Sequence, residues 1–359
     1  MKPNTLYQSA HQSGRPLLVW GKPGCGKTAS IRAYAKSRGI HVEELIAAIR
    51  EPSDFLGLPQ VIEGQTRFCP PDWAVRLAEK PGILFLDELS TAPPAVQAAL
   101  LRVALERHVG DLALHEKTWV VAAANPTECS AGGFELAAPL ANRFLHVEFP
   151  LDAADWTEQF PSYWGKPPAS DTSEYRNARA AIASFIRRRP DLLHALPEDP
   201  EQRQRAWPSP RSWDYGAQIL ASIGSYRSAE ASELLAAAVG ATAAAECCVY
   251  LRDLDLPAPE EILQAGSQWR RLKRLDQDWA ALSAMVAYVL SNPSKQNWEA
   301  AWNVLVAVSK QSGADVAIVA ARTLKRLAEE ELAKNPKNRQ YVIPSPAISE
   351  FSEVLSKIS

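Results

Sequence analysis

Near its amino terminus the chain carries a glycine-rich segment, Gly21–Thr28, which reads G-K-P-G-C-G-K-T and fits the pattern G-x-x-x-x-G-K-T. An apolar run, Leu17–Trp20, precedes the segment and a helical pattern follows it, which is the context in which this pattern forms a phosphate-binding loop. Glycines allow backbone N–H groups to wrap around phosphate oxygens, and the lysine adds a positive charge. We therefore expect a strand–loop–helix unit that binds the phosphates of a nucleotide.

The loop predicts the contacts of both the nucleotide and a metal ion. Lys27 is expected at the β- and γ-phosphates, and the hydroxyl of Thr28 is expected to complete the shell of a magnesium ion. The predicted nucleotide-binding residues are Gly21, Pro23, Gly24, Cys25, Gly26, Lys27, Thr28 and Ala29.

A second motif, the acidic pair Asp87-Glu88, directly follows an apolar run, Ile83–Leu86, that is long enough to form a buried central strand. Ligands bind at the carboxyl ends of parallel strands, so Asp87 is expected to hold Mg²⁺ and Glu88 to orient the attacking water. A solvated strand end is the plainer alternative. Together with the loop, however, the pair favours hydrolysis of the nucleotide over transfer of its phosphate.

The order of these segments predicts an α/β fold, a P-loop parallel sheet flanked by helices, followed by an all-helical lid and a helical C-terminal region. The expected domains are 1–150, 151–265 and 266–359. The predicted strands are Arg15–Trp20, His41–Leu45, Ile83–Leu86, Thr118–Ala124 and Leu145–Phe149.

Composition limits the expected partners of the protein and its expected location in the cell. The net charge is −2, without the basic excess of a dedicated nucleic-acid coat. No run approaches the ~20 apolar residues that cross a bilayer, so no membrane span is expected. The five cysteines show no ligand or disulfide spacing, and a reducing cytoplasm is the expected location.

Further motifs carry a resemblance to a known family. Leu86–Ser90, the helix Pro94–Leu105, Ala123–Pro126 and Pro139–Phe144 resemble the MoxR group of AAA+ ATPases, and the similarity runs in order from residue 16 to about 216. The resemblance implies ATP and Mg²⁺ as ligands and self-association into a ring, a hexamer in this family. It also implies a protein client and a partner that carries a von Willebrand factor A domain.

The resemblance assigns three more catalytic residues. Asn125 would hydrogen-bond the attacking water or the γ-phosphate, Arg143 would reach the nucleotide of a neighbouring subunit, and Arg211 would contact the γ-phosphate from the lid. Each has a simpler interpretation: an Asn-Pro turn, a cation at a helix C-terminus, and a residue beside the helix cap Ser209. Arg102 and Arg107 are rival candidates for the role of Arg143.

Two segments resemble insertions of the family. Glu51–Pro59 corresponds to an element that faces the ring pore, and its turn residues predict an ordered loop. Whether Phe55 or Leu58 grips a client or packs in the core stays open in the sequence. His108–Lys117 is expected to form a β-hairpin.

Three alternatives of function remain. The first is a nucleic-acid motor or restriction-type translocase, which the basic runs Arg187–Arg189 and Arg270–Arg274 keep open, although a solvated helix face is the favoured interpretation of those runs. The second is a magnesium-chelatase-type subunit. The third is a scaffold that does not hydrolyse nucleotide, which the intact Lys27, Asp87 and Glu88 disfavour.

Overall fold

The computed structural model describes residues 3–129, 134–161, 173–223, 229–254, 256–334 and 346–356. The chain divides into two compact units, Met1–Leu151 and Asp152–Ser359. The separation of a lid (151–265) from a C-terminal region (266–359) stays a prediction.

The first unit alternates strands and helices. Its strands are β1 (Leu17–Trp20), β2 (His41–Ile46), β3 (Leu58–Ile62), β4 (Gln65–Cys69), β5 (Gly82–Asp87), β6 (His108–Val109), β7 (Leu112–Ala113), β8 (Trp119–Ala124) and β9 (Leu145–Glu148). Its helices are α1 (Pro3–Ser13), α2 (Lys27–Ser37), α3 (Ser53–Leu56), α4 (Asp72–Glu79), α5 (Pro94–Glu106) and α6 (Ala138–Ala141).

A five-stranded parallel sheet forms the centre of this unit, in the order β2-β5-β8-β1-β9. All six residues of β8 are buried, and in β5 the buried run extends from Gly82 to Leu86. Strands that are covered on both faces read as continuous apolar runs, which explains why the sequence identified them. The predicted parallel sheet is confirmed, and its geometry brings the ends of β1, β5 and β8 to one edge.

Helix α5 shows how the flanking helices attach to the sheet. Its buried positions Val96, Ala99, Leu100 and Val103 follow the spacing of one helical face. They join the same core cluster as Leu84 and other residues of the sheet. The helix therefore holds the turn after β5, where the acidic pair lies.

Two small hairpins project from the unit. Strands β6 and β7 pair antiparallel, which confirms the hairpin predicted within His108–Lys117. Strands β3 and β4 form a second antiparallel hairpin after α3, where the sequence predicted only an ordered loop over Glu51–Pro59. Phe55 of α3 is buried, whereas Leu58 of β3 is 59% exposed, so the former belongs to the core and the latter does not.

The described part of the second unit consists of helices and turns. The helices are α7 (Ala153–Gln159), α8 (Ser173–Arg188), α9 (Pro200–Arg203), α10 (Pro210–Ile223), α11 (Ala229–Val239), α12 (Ala241–Arg252), α13 (Pro259–Ala265), α14 (Leu275–Ser291), α15 (Lys295–Gln311), α16 (Ala314–Lys334) and α17 (Pro346–Ser356). Helix α8 packs against both α10 and α14. Within the described residues, no helix is both long and apolar enough to cross a membrane.

Candidate nucleotide site

The phosphate-binding loop connects β1 to α2 and depends on its glycines. Gly26 caps α2 in a left-handed conformation with φ of 106°, which side chains other than glycine rarely adopt. Gly21 is crowded, because a Cβ there would lie 3.1 Å from both the Cys25 sulfur and Phe149 Cβ. The loop is therefore a tight turn with little space for other residues, as the motif predicts.

Lys27 is almost fully buried inside this loop. Its Nζ donates hydrogen bonds to the carbonyl oxygens of Gly21, at 2.6 Å, and Lys22, at 3.2 Å, and to Asn125 Oδ1, at 2.8 Å. Charge-assisted hydrogen bonds of this kind are strong and directional. They hold the ammonium group between the loop and the end of β8, so the structure brings Lys27 and Asn125 together.

Thr28 and Asp87 meet across the same edge of the sheet. Thr28 Oγ1 donates to Asp87 Oδ2 at 2.7 Å, and Asp87 Oδ1 accepts from the backbone N–H of Glu88 at 3.0 Å. A hydroxyl and a carboxylate oxygen are ligands that Mg²⁺ accepts, usually with waters and substrate phosphates completing its shell. The pair therefore fits the metal that the sequence predicts at these two residues.

Glu88 occupies an unusual backbone position directly after β5. Its φ of 56° lies in the left-handed region, which is uncommon for a residue with a side chain. Thr91 Oγ1 donates to the carbonyl of Glu88 at 2.9 Å and closes a short 3₁₀ turn over Leu89–Thr91. The turn leaves the Glu88 carboxylate exposed rather than buried in the core, as a residue that orients water requires.

Ser90 is a residue of the site to which the sequence analysis gave no role. Its hydroxyl donates to the carbonyl of Asn125 at 3.1 Å and accepts from the Asn125 N–H at 3.3 Å. Ser90 is buried, so this pair of hydrogen bonds is shielded from water. It fixes the backbone of Asn125 against the turn after β5. The only sequence signal was the position of Ser90 two residues after the acidic pair.

Arg143 lies in the turn between α6 and β9. Its Nη1 donates to the carbonyl of Pro139, and its Nε is buried without a hydrogen-bond partner. Phe144, the next residue, is buried and anchors the turn. The turn is thus fixed to the domain while the guanidinium remains close to its own helix.

The two rival arginines are engaged elsewhere in the unit. Arg107 donates to the carbonyls of Thr118 at 2.9 Å and Gly14 at 2.6 Å, so it braces the backbone. Arg102 bonds Glu106 and the carbonyl of Gly110, each at 2.9 Å. These contacts give both side chains a structural role within the domain.

Arg211 belongs to the second unit, in the first turn of α10. It is exposed, and the helix cap predicted beside it is present, since Ser209 Oγ accepts from the Ser212 N–H at 3.1 Å. Its contact with the γ-phosphate stays a prediction.

An apolar cavity of about 300 Å³ lies beside the loop, lined by Leu6, Tyr7, Val19, Val147 and Phe149 among others. Burial raises the pKa of Tyr7, and its hydroxyl hydrogen-bonds Ser30 of α2 at 2.8 Å, so this phenol is a neutral wall of the cavity. Phe149 also crowds Gly21, which connects the cavity to the start of the loop.

One charged pair borders the site. Arg32 of α2 donates to both carboxylate oxygens of Glu44, at 2.8 and 2.6 Å. These hydrogen bonds raise the pKa of Arg32, and the negative charge of Asp87 acts in the same direction. The guanidinium is therefore a permanent positive charge on the helix that opens with Lys27.

Comparison with known proteins finds a family model that matches the part of the chain that carries this site. Residues 16–146 match the model of the "ATPase family associated with various cellular activities (AAA)". Over 144 residues the chain is 31% identical to protein MoxR of Methylorubrum extorquens, which covers 38% of this chain and 42% of that protein. A stretch of 61 residues is 38% identical to cell cycle checkpoint protein RAD17 of Pongo abelii, covering 16% of this chain and 9% of that protein.

Among solved structures, a RuvB variant of Thermotoga maritima overlaps with 13% identity, 72% coverage of each chain and a TM-score of 0.37. The chain spans less than half the length of the curated relatives it matches. The family match, residues 16–146, falls within the α/β unit that carries the phosphate-binding loop. Residues 16–146 of this chain therefore resemble AAA ATPases, and over 144 residues the chain is similar to protein MoxR.

Proposed function

We propose that this protein hydrolyses ATP with Mg²⁺ in a ring of subunits and uses the energy to remodel or activate a protein client. The observation that carries the proposal is the meeting of three strand ends, where Lys27 bonds Asn125 and Thr28 bonds Asp87. Phosphate loop, acidic pair and polar strand end are the parts that phosphoryl transfer to water requires.

Each residue has one task in this reaction. Backbone N–H groups of Gly24–Thr28 bind the phosphate oxygens, and Lys27 exchanges carbonyl oxygens for those of the β- and γ-phosphates. Thr28 and Asp87 hold Mg²⁺, which neutralises charge that develops on the phosphate oxygens. Glu88 polarises the attacking water, while Asn125 orients it. The cavity beside Phe149 is apolar and suits the base, with adenine favoured by the family alone.

The catalytic site is completed by a neighbouring subunit. Arg107 bonds carbonyls of two separate segments and Arg102 bonds Glu106 and the Gly110 carbonyl, whereas Arg143 bonds the Pro139 carbonyl of its own helix. Arg143 therefore joins no other described segment of the domain and is the arginine best suited to act across a subunit boundary. Its charge would stabilise the transition state of a neighbour's nucleotide, and Arg211 would contribute from the lid. Assembly into a ring, a hexamer by family resemblance, is then part of the mechanism.

We propose a protein rather than a nucleic acid as the client. The hairpin β3–β4 exposes Leu58, Val61 and Phe68, and an exposed apolar group of this kind suits protein contact. A partner with a von Willebrand factor A domain would present the client, as in the family.

The basic runs give little support to a nucleic-acid motor. Arg188 and Arg274 both pair with Asp276 of α14, at 3.7 and 3.0 Å. Arg189 pairs with Asp191 at 2.8 Å and also with Glu246. Arginines that are neutralised within their own fold contribute little to the binding of a phosphate backbone.

Substitution Glu88→Gln tests the hydrolytic step. We expect ATP to bind with unchanged affinity while turnover falls by at least about a hundredfold, because the water loses its base but the loop is intact. Calorimetric titration of ATP and release of phosphate measure the two quantities. Lys27→Ala is the matched control, which should lose binding itself. Full turnover by Glu88→Gln would refute the assignment.

A further inference from the structure

A chain of hydrogen bonds connects the start of the phosphate-binding loop to the turn that carries Arg143. Trp20, the last residue of β1 and the neighbour of Gly21, donates from Nε1 to His146 Nδ1 at 2.9 Å. His146, in β9, bonds the carbonyl of Ala141 through Nε2 at 2.8 Å. The Trp20 and His146 rings lie at 26° to each other with centroids 6.1 Å apart, as an edge-to-edge hydrogen bond requires.

The chemistry of the two partners fixes the state of the imidazole. An indole nitrogen can only donate, and a carbonyl oxygen can only accept. His146 therefore accepts at Nδ1 and donates from Nε2, which a single neutral tautomer satisfies. No other tautomer makes both bonds; both lie at the surface of the unit, where His146 is exposed and Trp20 is half-buried.

The hydrogen bond between His146 and Ala141 supports helix α6, which would not be stable by itself. Helix α6 has four residues, far fewer than an isolated helix needs to be stable. Ala141 is its last residue, and a histidine that bonds a terminal carbonyl caps the C-terminus of a helix. Arg143 follows two residues later, in a turn that the Phe144 N–H also supports by donating to the Ala141 carbonyl at 3.1 Å. The His146 bond is thus the side-chain contribution to the position of the turn that carries Arg143.

The Trp20 end of the hydrogen-bond chain lies at the start of the phosphate-binding loop. The Trp20 carbonyl accepts from the Phe149 N–H at 2.7 Å, and the Gly21 N–H donates to the Ala124 carbonyl at 3.2 Å. Phe149 in turn crowds Gly21 and lines the cavity beside the loop. The residue that holds His146 is therefore bonded to a segment that borders both the loop and the cavity.

We propose that His146 is a positioning residue that couples the nucleotide loop of a subunit to the Arg143 which the same subunit offers to its neighbour. The inference rests on the proposed function of Arg143 in a shared site. It adds a route of regulation, because the state of one site sets the arginine presented to the next site in the ring.

Mixed rings test the coupling with full-length chains. A Glu88→Gln subunit has no active site but offers Arg143, and an Arg143→Ala subunit has an intact site but offers no arginine. Mixing the two should restore ATP turnover wherever the intact site of an Arg143→Ala subunit receives the arginine of a neighbouring Glu88→Gln subunit. His146→Phe, which keeps an aromatic ring but removes both nitrogens, is then added to one partner at a time.

The expected result depends on the side of the substitution. In the Glu88→Gln subunit, His146→Phe should lower the restored turnover about ten- to a hundredfold, since a misplaced catalytic group costs that much. In the Arg143→Ala subunit it should change turnover by less than about twofold. This second placement also controls for folding. Trp20→Phe in the Glu88→Gln subunit should resemble His146→Phe there.

The matched control is His115→Phe in the Glu88→Gln subunit. His115 also accepts a hydrogen bond at Nδ1, from the Lys117 N–H at 3.1 Å, but it does not belong to the hydrogen-bond chain that joins Trp20 to Ala141. It should leave the restored turnover unchanged. Equal effects of His146→Phe on both sides, or no effect, would overturn the coupling while the shared site stands. Failure of the two parent subunits to complement would overturn the shared site, and the coupling with it.

Discussion

At the scale of single residues, the site is organised by side chains that bond distant backbone groups. Ser90 bonds both the N–H and the carbonyl of Asn125, and the Lys27 ammonium closes on the Asn125 amide. Such contacts leave no periodic pattern in a sequence. The family resemblance drew attention to Asn125 at the end of a strand, whereas no sequence pattern assigned Ser90 a role. The same holds for Trp20 and His146, which are 126 residues apart.

Substitution Ser90→Ala should separate turnover from binding. Without the hydroxyl, the Asn125 backbone loses two hydrogen bonds and its amide loses its fixed position, so we expect turnover to fall about tenfold. ATP affinity, set by the loop, should stay within about twofold. Steady-state kinetics and calorimetry measure these effects.

The matched control for this change is Ser37→Ala, which removes a hydroxyl that bonds the Tyr34 carbonyl in α2, at 2.8 Å. Because Ser37 is exposed, this change should cost less than about 0.5 kcal/mol of stability and leave turnover unchanged. Unaltered turnover in Ser90→Ala would contradict the role given to the serine.

Arg107 should prove to be a structural residue. It makes charge-assisted bonds to two carbonyls of separate segments, so Arg107→Ala should lower the free energy of unfolding by about 2 kcal/mol. Arg102→Ala, which mainly breaks an exposed pair with Glu106, should cost about 0.5 kcal/mol.

Denaturant titration of both variants measures this difference. If Arg107→Ala were as stable as the parent chain and yet inactive in assembled rings, Arg107 would replace Arg143 as the shared arginine.

At the scale of elements, the buried strands could be predicted and the exposed hairpin could not. The strands β5 and β8 are continuous apolar runs, because both of their faces are covered. Strands β3 and β4 are exposed along almost their whole length, so no alternation of polar and apolar residues marks them. Only the turn residues Glu63 and Gly64, both with positive φ, hint at the reversal between them.

The buried residue of helix α3 and the exposed residue at the start of β3 should respond differently to substitution. Phe55 is fully buried against Trp73, with ring centroids 6.1 Å apart, so Phe55→Ala should cost about 3 to 5 kcal/mol of unfolding free energy. Leu58→Ser, at an exposed position three residues away, should cost less than about 0.5 kcal/mol.

Thermal unfolding followed by circular dichroism compares the two variants. A loss at Leu58 as large as that at Phe55 would mean that the hairpin is packed rather than free to meet a client.

At the scale of the whole molecule, the fold could be predicted from the sequence, whereas the contacts of charged side chains are seen only in the structure. The order of strand and helix segments was sufficient to predict the parallel sheet. The motifs between Leu86 and Phe144 carried the family resemblance, and the family model matches the same part of the chain. The partners of individual charged side chains could not be predicted from the sequence, as the basic run Arg187–Arg189 illustrates. In the structure Arg187 lies over the Trp279 ring, and its two neighbours meet acidic residues.

The central claim is that ATP is cleaved at a site completed by a neighbouring subunit, and turnover of Arg143→Ala tests it most directly. Phosphate release should be measured at several protein concentrations, with assembly followed by sedimentation and ATP affinity by calorimetry. The account predicts that specific activity of the parent chain rises as rings form. Arg143→Ala should still bind ATP and assemble, yet turn over at least about a thousandfold more slowly. Undiminished turnover by Arg143→Ala, in a protein that stays monomeric with ATP bound, would contradict the account.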